Sequence, residues 1–495
     1  MGYGSQRNCR SKNIEIMPIF TPSHRWQKAY YPFKYRTLSE RIEESFERTL
    51  KGVVWGCRMC GNCLLQETAF ICPMACPKGI RNGPCGGSTP DHCCVGESRP
   101  CIWYAIFQRA ERLGRLERLL EIFPPLDWDK TGTSALRDVV EKIPKRDKWK
   151  SIAVLIRSTS DERKLKWDQF FEDIRQPAWW TKNTQMNSST AQYPASRLEQ
   201  KLSAGSFVVT YEYLPPLNGE ISSFDSDLQK IKILVDAVNI TDGASSIPRI
   251  APIVIAQRAL ELGIEPIMHM TARDRTRLSF QSDLLGASAT GVHNLLLITG
   301  DHPNKGKKPF SKMDVWDFDS IQALWMARKL RDEGKFLDGR QLETRPYFFL
   351  GAAAAPFASN PDYQAIRLEK KIHAGAQYFQ TNMVFDIPKF EQYLEALDKR
   401  SLLKKVKLIT GVTQIKSLKN ANYLNNLPGV TIPQGILKRF SASKDFQKES
   451  HQICLETIDK LISMSGIHGI HFMAIKHVDD LKGLIIDSAL NQHDR

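Results

Sequence analysis

The chain has 495 residues, of which 42% are hydrophobic and 25% are charged. At the usual ~150 residues per domain this length predicts two or three domains, and the composition excludes a disordered chain and a collagen-like fibre. Lysine and arginine outnumber aspartate and glutamate by 69 to 54, which gives a net charge of +15. The basic residues are spread beside glutamates rather than concentrated on one element, so an anionic small molecule or an acidic protein partner fits the charge as well as nucleic acid does.

The sequence shows no sign of membrane insertion or secretion. No apolar run approaches the ~18 residues that a membrane-spanning helix needs. The first residues, M-G-Y-G-S-Q-R-N-C-R-S-K-N, contain no apolar stretch behind their basic residues, as a secretory signal would. We therefore expect a cytoplasmic protein with no membrane partner.

Nine of the eleven cysteines lie between Cys57 and Cys101, and the other two, Cys9 and Cys454, are isolated. In a reducing cytosol this density favours metal binding over disulfides, because crowded thiolates need a cation to neutralise them. The C-x2-C-x2-C run that begins at Cys57 is partly similar to ferredoxin loops. Eight or nine thiols suffice for two [4Fe–4S] clusters or for one cluster and one zinc ion, and a zinc site with no redox role stays an alternative.

Helical periodicity is predicted on both sides of the cysteine-rich segment, over residues 38–50 and 102–122. The chain then becomes polar, and residues 181–196 are predicted to be a linker. The predicted organisation is a cysteine-rich iron–sulfur or zinc domain over residues 1–130, a linker and irregular segment over 131–195, and a second domain over 196–495.

Eight short apolar runs follow, and helix-length segments separate each run from the next. They cover residues 207–213, 237–241, 266–271, 294–299, 347–353, 378–385, 406–410 and 469–475. This alternation is typical of eight β/α units. The predicted fold class is α/β, a (β/α)8 TIM barrel preceded by a small, mostly helical cysteine-rich domain, with the active site at the carboxyl ends of the strands.

Polar residues that a barrel does not require follow several of these runs. They are Glu212, Thr241, Asp242, His269, Thr271, Gly300, Asp301, Thr381, Asn382 and Gln414. Glu212 ends an apolar strand, where desolvation should raise its pKa and suit it to act as a general acid. Asp301 follows a buried strand beside Gly300, and a glycine there admits a flat ligand close to the backbone.

Residues 206–479 resemble the methylenetetrahydrofolate reductases, flavin-containing TIM barrels that reduce 5,10-methylenetetrahydrofolate to 5-methyltetrahydrofolate. The resemblance rests on F-V-V-T-Y-E-Y-L-P-P at 207–216, L-L-I-T-G-D-H-P at 296–303, R-L-E-K-K-I-H-A-G-A-Q-Y-F-Q-T-N at 367–382 and G-I-H-F-M-A at 469–474. Residues 55–103, with G-C-R-M-C-G-N-C and C-P-M-A-C-P-K-G-I-R-N-G-P-C-G-G, are similar to the cysteine-rich partner domain of acetogen-type reductases, which carries iron–sulfur centres or zinc. Here the two are joined in one chain.

The resemblance implies a role for each matching residue. Glu212 is the acid that assists opening of the methylene bridge to an iminium ion, and Asp301 lies near the flavin and tunes its reactivity. Asn382 stands where the family often has a glutamine that binds the pterin, and Gln414 is a further candidate for substrate binding. The implied flavin-binding residues are Thr241, His269, Gly300, Asp301 and Lys371. The implied metal ligands are Cys57, Cys60, Cys63, Cys72, Cys76, Cys85, Cys93 and Cys101, with Cys93 preferred to Cys94 because C-x-V-x5-C matches the usual ending of the domain.

Two departures from the family affect the choice of flavin. The family's Y-P-x-x-H-P-E in strand five is replaced by G-A-A-A-A-P-F-A-S-N-P at 351–361, and the arginine frequent before Gly300 is Thr299. Both changes remove contacts expected to hold the outer part of FAD. The cofactor predicted by the resemblance is therefore a flavin, either FAD or FMN.

The electron donor and two other functions stay open. A fused iron–sulfur domain favours a ferredoxin-like donor docking on the basic surface, and NAD(P)H binding directly over the flavin is the alternative, since no G-x-G-x-x-G follows a strand. A folate-dependent methyltransferase or demethylase on the same barrel would lack flavin. A zinc-stabilised nucleic-acid-binding protein with a degenerate barrel would bind RNA or DNA in a salt-dependent way. As a reductase, the protein is expected to have no nucleic-acid partner, and a homo-oligomer is compatible with the sequence.

Overall fold

The computed structural model describes residues 37–95, 99–135, 180, 196–303, 315–427, 429–475 and 477–491. Most of the predicted segment at 131–195, including the linker, lies outside the described residues, and so does Cys9. Among the helices of the described part, none has the length and apolar character needed to cross a membrane.

Eight parallel strands close into a barrel in chain order, so that the eighth strand pairs with the first. The strands are β1 (Val208–Tyr213), β2 (Ala237–Ile240), β3 (Pro266–Thr271), β4 (Asn294–Ile298), β5 (Phe349–Ala354), β6 (Tyr378–Met383), β7 (Lys407–Val412) and β8 (Ile467–Phe472). Strands covered on both faces are apolar almost throughout, as N-L-L-L-I in β4 shows. The predicted TIM barrel is confirmed, and each predicted strand differs from the observed one by only a few residues.

Helices surround the barrel and build the cysteine-rich region. They are α1 (Leu38–Trp55), α2 (Ile102–Arg112), α3 (Arg197–Ser203), α4 (Ser222–Ile231), α5 (Pro252–Glu261), α6 (Arg277–Ala289), α7 (Ser320–Glu333), α8 (Pro361–Ala374), α9 (Ile387–Lys399), α10 (Leu418–Asn425), α11 (Gln434–Ala442), α12 (Phe446–Ser463) and α13 (Val478–Asp487). The residues at the two ends of α8 show how the sequence sets the bounds of a helix. The Asn360 side chain accepts the backbone N–H groups of Asp362 and Tyr363 at 3.0 and 3.3 Å, and Gly375, with a φ of +117°, ends the helix.

The amino-terminal end of the barrel is closed by apolar packing. Leu198 and Leu202 of α3 are fully buried against residues near the starts of the strands, including Val208, Ala237 and Phe349. Leu198 and Leu202 close this end, so the barrel is open at the opposite end, where the strands have their carboxyl ends.

The second helix predicted in the cysteine-rich region is shorter than expected. The prediction of one helix over 102–122 is wrong, because α2 ends at Arg112 and the chain continues through a 3-10 helix at Leu116–Leu120. Gly114 lies between them with a φ of +64°, a left-handed conformation that ends helices and that glycine adopts without steric cost. The apolar periodicity continues across this break, which is why periodicity alone did not reveal it.

The cysteine-rich region packs directly on the barrel. Trp103, Phe107 and Phe123 form one buried cluster with Tyr363 and Ile366 of α8. Polar contacts surround this cluster. The Tyr363 hydroxyl donates to Glu111 at 2.6 Å, and Arg400 makes a bidentate pair with Glu117 at 2.8 and 2.9 Å.

One carboxylate joins the two regions. Asp319, 2% exposed, accepts through Oδ2 from the backbone N–H groups of Arg81 and Asn82 at 3.1 and 2.9 Å and from the Asn82 side chain at 3.0 Å. Its Oδ1 accepts from the backbone N–H groups of Ile321 and Gln322 and so caps α7. A single side chain therefore fixes both the start of α7 and the segment at 81–82.

Replacing Asp319 with alanine should destabilise the protein by about 3–5 kcal/mol, because buried hydrogen bonds to a charged group contribute ~1.5–3 kcal/mol and a helix cap ~1 kcal/mol. Urea unfolding followed by circular dichroism measures the change. Asp338→Ala is the control, since Asp338 is exposed and pairs with Arg340 at the surface, and its urea midpoint should match that of the native chain. Equal midpoints for the two variants would contradict the role given to Asp319.

Candidate active site

A cavity of about 400 Å³ opens at the carboxyl ends of the strands. Ten of the eleven barrel residues predicted for the site line it, namely Glu212, Thr241, Asp242, His269, Thr271, Gly300, Asp301, Lys371, Thr381 and Asn382. Gln414 lies two residues beyond β7, is half-buried, and is not among the residues that line the cavity. The structure therefore brings the predicted barrel residues together, apart from Gln414.

Glu212 lies near the end of β1, opposite Asn239 of β2. Burial raises the pKa of its carboxyl group to about 7, and a hydrogen bond from the backbone N–H of Ala474 partly opposes this shift. Ala474 follows β8 and has a φ of +54°, so the strand end turns sharply beside the carboxyl group. A carboxyl group with this pKa is partly protonated at neutral pH and can donate a proton.

Polar side chains form a buried network inside the barrel. Asn239 and Gln380 join their amide groups by two hydrogen bonds of 2.6 and 3.1 Å. Asn239 Nδ2 also lies 2.8 Å from Nε2 of His269, and Thr210 Oγ1 lies 2.9 Å from Nδ1 of His471. Because an amide nitrogen only donates, His269 accepts at Nε2 and carries its proton on Nδ1. Burial lowers the pKa of His269 to about 4 and that of His471 to about 3, so both rings are neutral near pH 7.

Four residues of this network were not predicted from the sequence, namely Asn239, Gln380, Thr210 and His471. The signal was an uncharged polar residue inside an otherwise apolar strand, as in A-V-N-I for β2. In a barrel such a residue faces either the helices or the interior. The paired amide groups of Asn239 and Gln380, with His269 bonded to Asn239, show that these side chains lie inside.

Asp242 and Asp301 lie on the same rim but have different surroundings. Asp242 accepts from the backbone and hydroxyl of Thr271 at 2.8 and 2.9 Å and forms an ion pair with Arg275. Asp301 is exposed at the cavity and accepts from the Ser245 backbone at 3.2 Å. Asp242 therefore holds the loop after β3 in place, while the Asp301 carboxylate faces the cavity.

The backbone conformation at position 300 also requires a glycine, in addition to the ligand access that was predicted for Gly300. Its φ is +88°, and a Cβ atom there would lie 3.0 Å from Cβ of Arg273 and 3.1 Å from Cβ of Thr271. A side chain at this position would be strained and crowded. The carbonyl oxygen of Gly300 accepts from Nζ of Lys78, a residue of the cysteine-rich region, at 2.9 Å.

Two cationic residues of α8 reach the cavity wall. Lys371 donates to the Ala353 carbonyl at 2.5 Å, and burial, reinforced by the nearby Arg367, holds its pKa well below the ordinary value. Arg367, which the sequence analysis missed, is 8% exposed and donates to Gln364 at 3.3 Å. Within the described part of the chain its Nε is buried and has no hydrogen-bond partner.

The clustered cysteines divide into two groups. The first surrounds a small internal cavity beside the Glu47–Lys51 ion pair of α1 and consists of Cys57, Cys60, Cys63 and Cys72. The second consists of Cys76, Cys85, Cys93, Cys94 and Cys101, which interact electrostatically with one another. Cys85 and Cys94 of this group line the barrel cavity together with Glu212. Hydrogen bonds from the thiols of Cys85 and Cys93 lower the pKa of Cys94. Cys94, which was not a predicted ligand, therefore lies between two predicted metal ligands.

The thiols have the chemistry of iron–sulfur or zinc ligands, but their described positions do not form such a centre. Among the described residues, no group of three or more His, Cys, Asp or Glu side chains is arranged to hold a metal ion. Burial raises the pKa of Cys57 to about 12 and that of Cys72 to about 11, so these thiols need a nearby cation to ionise. We therefore derive no reaction step through a metal centre.

A closed barrel with a polar cavity at the carboxyl ends of its strands defines the chain as a TIM-barrel enzyme. A family model described as "Methylenetetrahydrofolate reductase" matches residues 197–488, which is more than half of the chain. The chain belongs to the methylenetetrahydrofolate reductase family, and this family is flavin-dependent in general. The predicted family is thereby confirmed for the barrel.

A second family model, described as "Methylene-tetrahydrofolate reductase C terminal", matches residues 37–129. This range contains all nine clustered cysteines. The cysteine-rich region is therefore also a region known from this family, whereas its identity as the acetogen-type partner domain stays a prediction.

Named relatives agree with this family at low identity. The chain is 24% identical over 231 residues to "Probable methylenetetrahydrofolate reductase (NADPH)" of Caenorhabditis elegans, a match that covers 45% of this chain and only 32% of that protein. It is 21% identical over 282 residues to "5,10-methylenetetrahydrofolate reductase" of Pectobacterium carotovorum subsp. carotovorum, covering 56% and 88%. The chain thus spans about a third of the first relative and most of the second.

Among solved structures, the chain is similar to a protein of Clostridium thermocellum described as binding two copies of 5-methyl-5,6,7,8-tetrahydrofolic acid. The identity is 19%, the TM-score is 0.44, and the match covers 59% of this chain and 96% of that one. At this TM-score the likeness supports no conclusion about ligands of this chain.

Metal analysis of anaerobically purified protein tests the predicted metal ligands. Four thiols in one group and five in the other suffice for about four or eight iron atoms per chain, or for zinc, although their described positions form no such centre. Cys60→Ser should lower the metal content, while Cys454→Ala, at an isolated buried cysteine of α12, should leave it unchanged. Native protein with neither iron nor zinc would show that the thiols bind no metal.

Proposed function

We propose that this protein reduces 5,10-methylenetetrahydrofolate to 5-methyltetrahydrofolate with a bound flavin. The observation that carries the proposal is Glu212, a carboxyl group whose pKa is raised to about 7 at the cavity where a general acid is required. Membership of the family supports the reaction, and the shared cavity supports the role of the individual residues.

The residues of the cavity fit a flavin. The volume of about 400 Å³ lies within the ~300–1,000 Å³ of typical ligand sites. Leu296, Leu297 and the alanines at 353–355 offer apolar surface, while hydroxyl, imidazole and carboxylate groups lie around it, a combination that suits a flat ring with polar edges. Thr241, His269, Gly300, Asp301 and Lys371 would hold the cofactor. When bound, the flavin supplies the hydride that reduces the methylene carbon of the substrate.

The protein's own groups provide the acid and the substrate contacts. Protonated Glu212 donates its proton to the amine nitrogen that leaves the methylene carbon, which assists opening of the bridge to the iminium ion. The Ala474 N–H keeps the carboxyl group oriented toward the cavity. Asn382, at the end of β6, offers an amide to the pterin, and its short side chain requires the pterin to approach β6 closely.

The electron donor is proposed to be a ferredoxin-like protein, with NAD(P)H as the alternative. Support comes from Cys85 and Cys94, which line the same cavity as Glu212 and so place the cysteine-rich region in contact with the reaction site. Anaerobic mixing of the flavin-loaded protein with reduced ferredoxin, NADH or NADPH, followed by absorbance of the flavin, distinguishes these donors. The closed barrel and its cavity favour the reductase over a degenerate, nucleic-acid-binding barrel.

Replacing Glu212 with glutamine tests the proposed acid. Glutamine can still accept the Ala474 N–H but has no acidic proton, so oxidation of the reduced flavin by methylenetetrahydrofolate should slow about a hundredfold or more. Reduction of the flavin by its donor should be unaffected. Stopped-flow absorbance separates these two half-reactions.

The pH profile provides a second signature of the same group. A raised carboxyl pKa means that the proton is present below about pH 7 and absent above it, so the substrate half-reaction should slow as pH rises through 7. Glu220→Gln is the matched control, because Glu220 is an exposed glutamate after the same strand. A native-like rate or an unchanged pH profile in Glu212→Gln would exclude Glu212 as the acid.

A further inference from the structure

Lys78 belongs to the cysteine-rich region, yet its side chain lines the cavity of the barrel. It is 4% exposed. Its Nζ donates to the Gly300 carbonyl at 2.9 Å and lies 5.2 Å from the centre of the Trp316 ring. Trp316 is itself held by a two-residue strand that pairs with Asp274–Arg275 beside the cavity. The ammonium group is therefore fixed in place on the cavity wall.

The ammonium group of Lys78 lies beside the loop that follows β4, where it binds the Gly300 carbonyl. The residue before Gly300 is the uncharged Thr299, which also lines the cavity. A second contact between the two regions lies after β5, where Gly86 packs against Ala355, and a Cβ on Gly86 would lie 3.1 Å from that of Ala355. The cysteine-rich region thus contacts the barrel after β4 and after β5, at residues that line the cavity.

The chemistry of Lys78 suits an anion. An ammonium group has three donors, and the contacts found among the described residues use one of them for Gly300. Of the other cations on the wall, Arg273 bonds to Asp274 and to the Gly243 carbonyl, and Lys371 bonds to Ala353. Arg367 donates to Gln364, while its Nε has no hydrogen-bond partner among the described residues. A phosphate group is the anion that a fixed ammonium group beside a loop backbone commonly binds.

We propose that Lys78 binds the phosphate group of the flavin nucleotide, so that the cysteine-rich region completes the cofactor site of the barrel. The inference rests on the proposed function, because it requires a flavin in this cavity.

Binding of three flavins to flavin-free, full-length protein tests the inference. Riboflavin has the ring and the ribityl chain but no phosphate, whereas FMN and FAD carry phosphate. By quenching of flavin fluorescence, Lys78→Met should weaken FMN and FAD binding about 10- to 100-fold and leave riboflavin binding unchanged. Lys78→Arg should restore most of the affinity. Lys389→Met, at an exposed lysine of α9, is the control and should bind all three as the native chain does.

Each other outcome counts against the inference. Equal weakening of riboflavin and FMN would show that Lys78 acts on the ring or on the packing of the two regions, and unchanged FMN affinity would show that it only balances Asp301 or the thiols. A thermal melt of Lys78→Met close to that of the native chain confirms that the regions remain packed. If the native chain binds none of the three flavins, the proposed function itself fails, which is distinct from a failure confined to Lys78.

Discussion

The wall that the cysteine-rich region adds to the cavity depends on the carboxylate of Asp319. Its Oδ2 holds the backbone of Arg81 and Asn82, and these residues lie between Lys78 and Cys85 in the chain. Because the same carboxylate caps α7, the segment is fixed relative to a barrel helix rather than to a flexible loop. Lys78 on one side and Cys85 on the other are thereby brought to the cavity. This carboxylate and the apolar cluster around Trp103 together hold that wall of the site on the barrel.

Burial acts on the titratable groups of this cavity in one direction, toward the neutral form. It raises the pKa of Glu212 to about 7 and lowers the pKa of His269 and of Lys371. A cavity that favours neutral groups suits an acid that must give up a proton near neutral pH. It also suits a flat, largely uncharged ring. Asp301, exposed at the rim, is where a negative charge remains accessible, and Lys78, donating to Gly300 from the opposite region, supplies a positive one.

The sequence predicted the barrel well because the signal is local. An apolar strand and the polar residue that ends it are neighbours in the chain, and closure of the barrel then brings Glu212, His269 and Asn382 together. Contacts between distant segments carried no such signal. Asp319 and Asn82 are 237 residues apart, and nothing in C-P-K-G-I-R-N indicates which surface this segment meets. The break at Gly114 was missed for a related reason, because one backbone conformation interrupted a periodicity that continues on both sides.

The small residues of β5 and of the loop after it are matched by packing. A Cβ at Gly351 would lie 2.2 Å from the ring of Tyr378, whose hydroxyl donates to the Leu295 carbonyl, so the aromatic ring fills this space inside the barrel. The alanines at 353–355 line the cavity, and Gly86 of the cysteine-rich region lies against Ala355. A larger side chain at 355 would crowd Gly86. The small residues of the barrel and the segment that covers them are therefore complementary, and a substitution that enlarges one side requires a compensating change on the other.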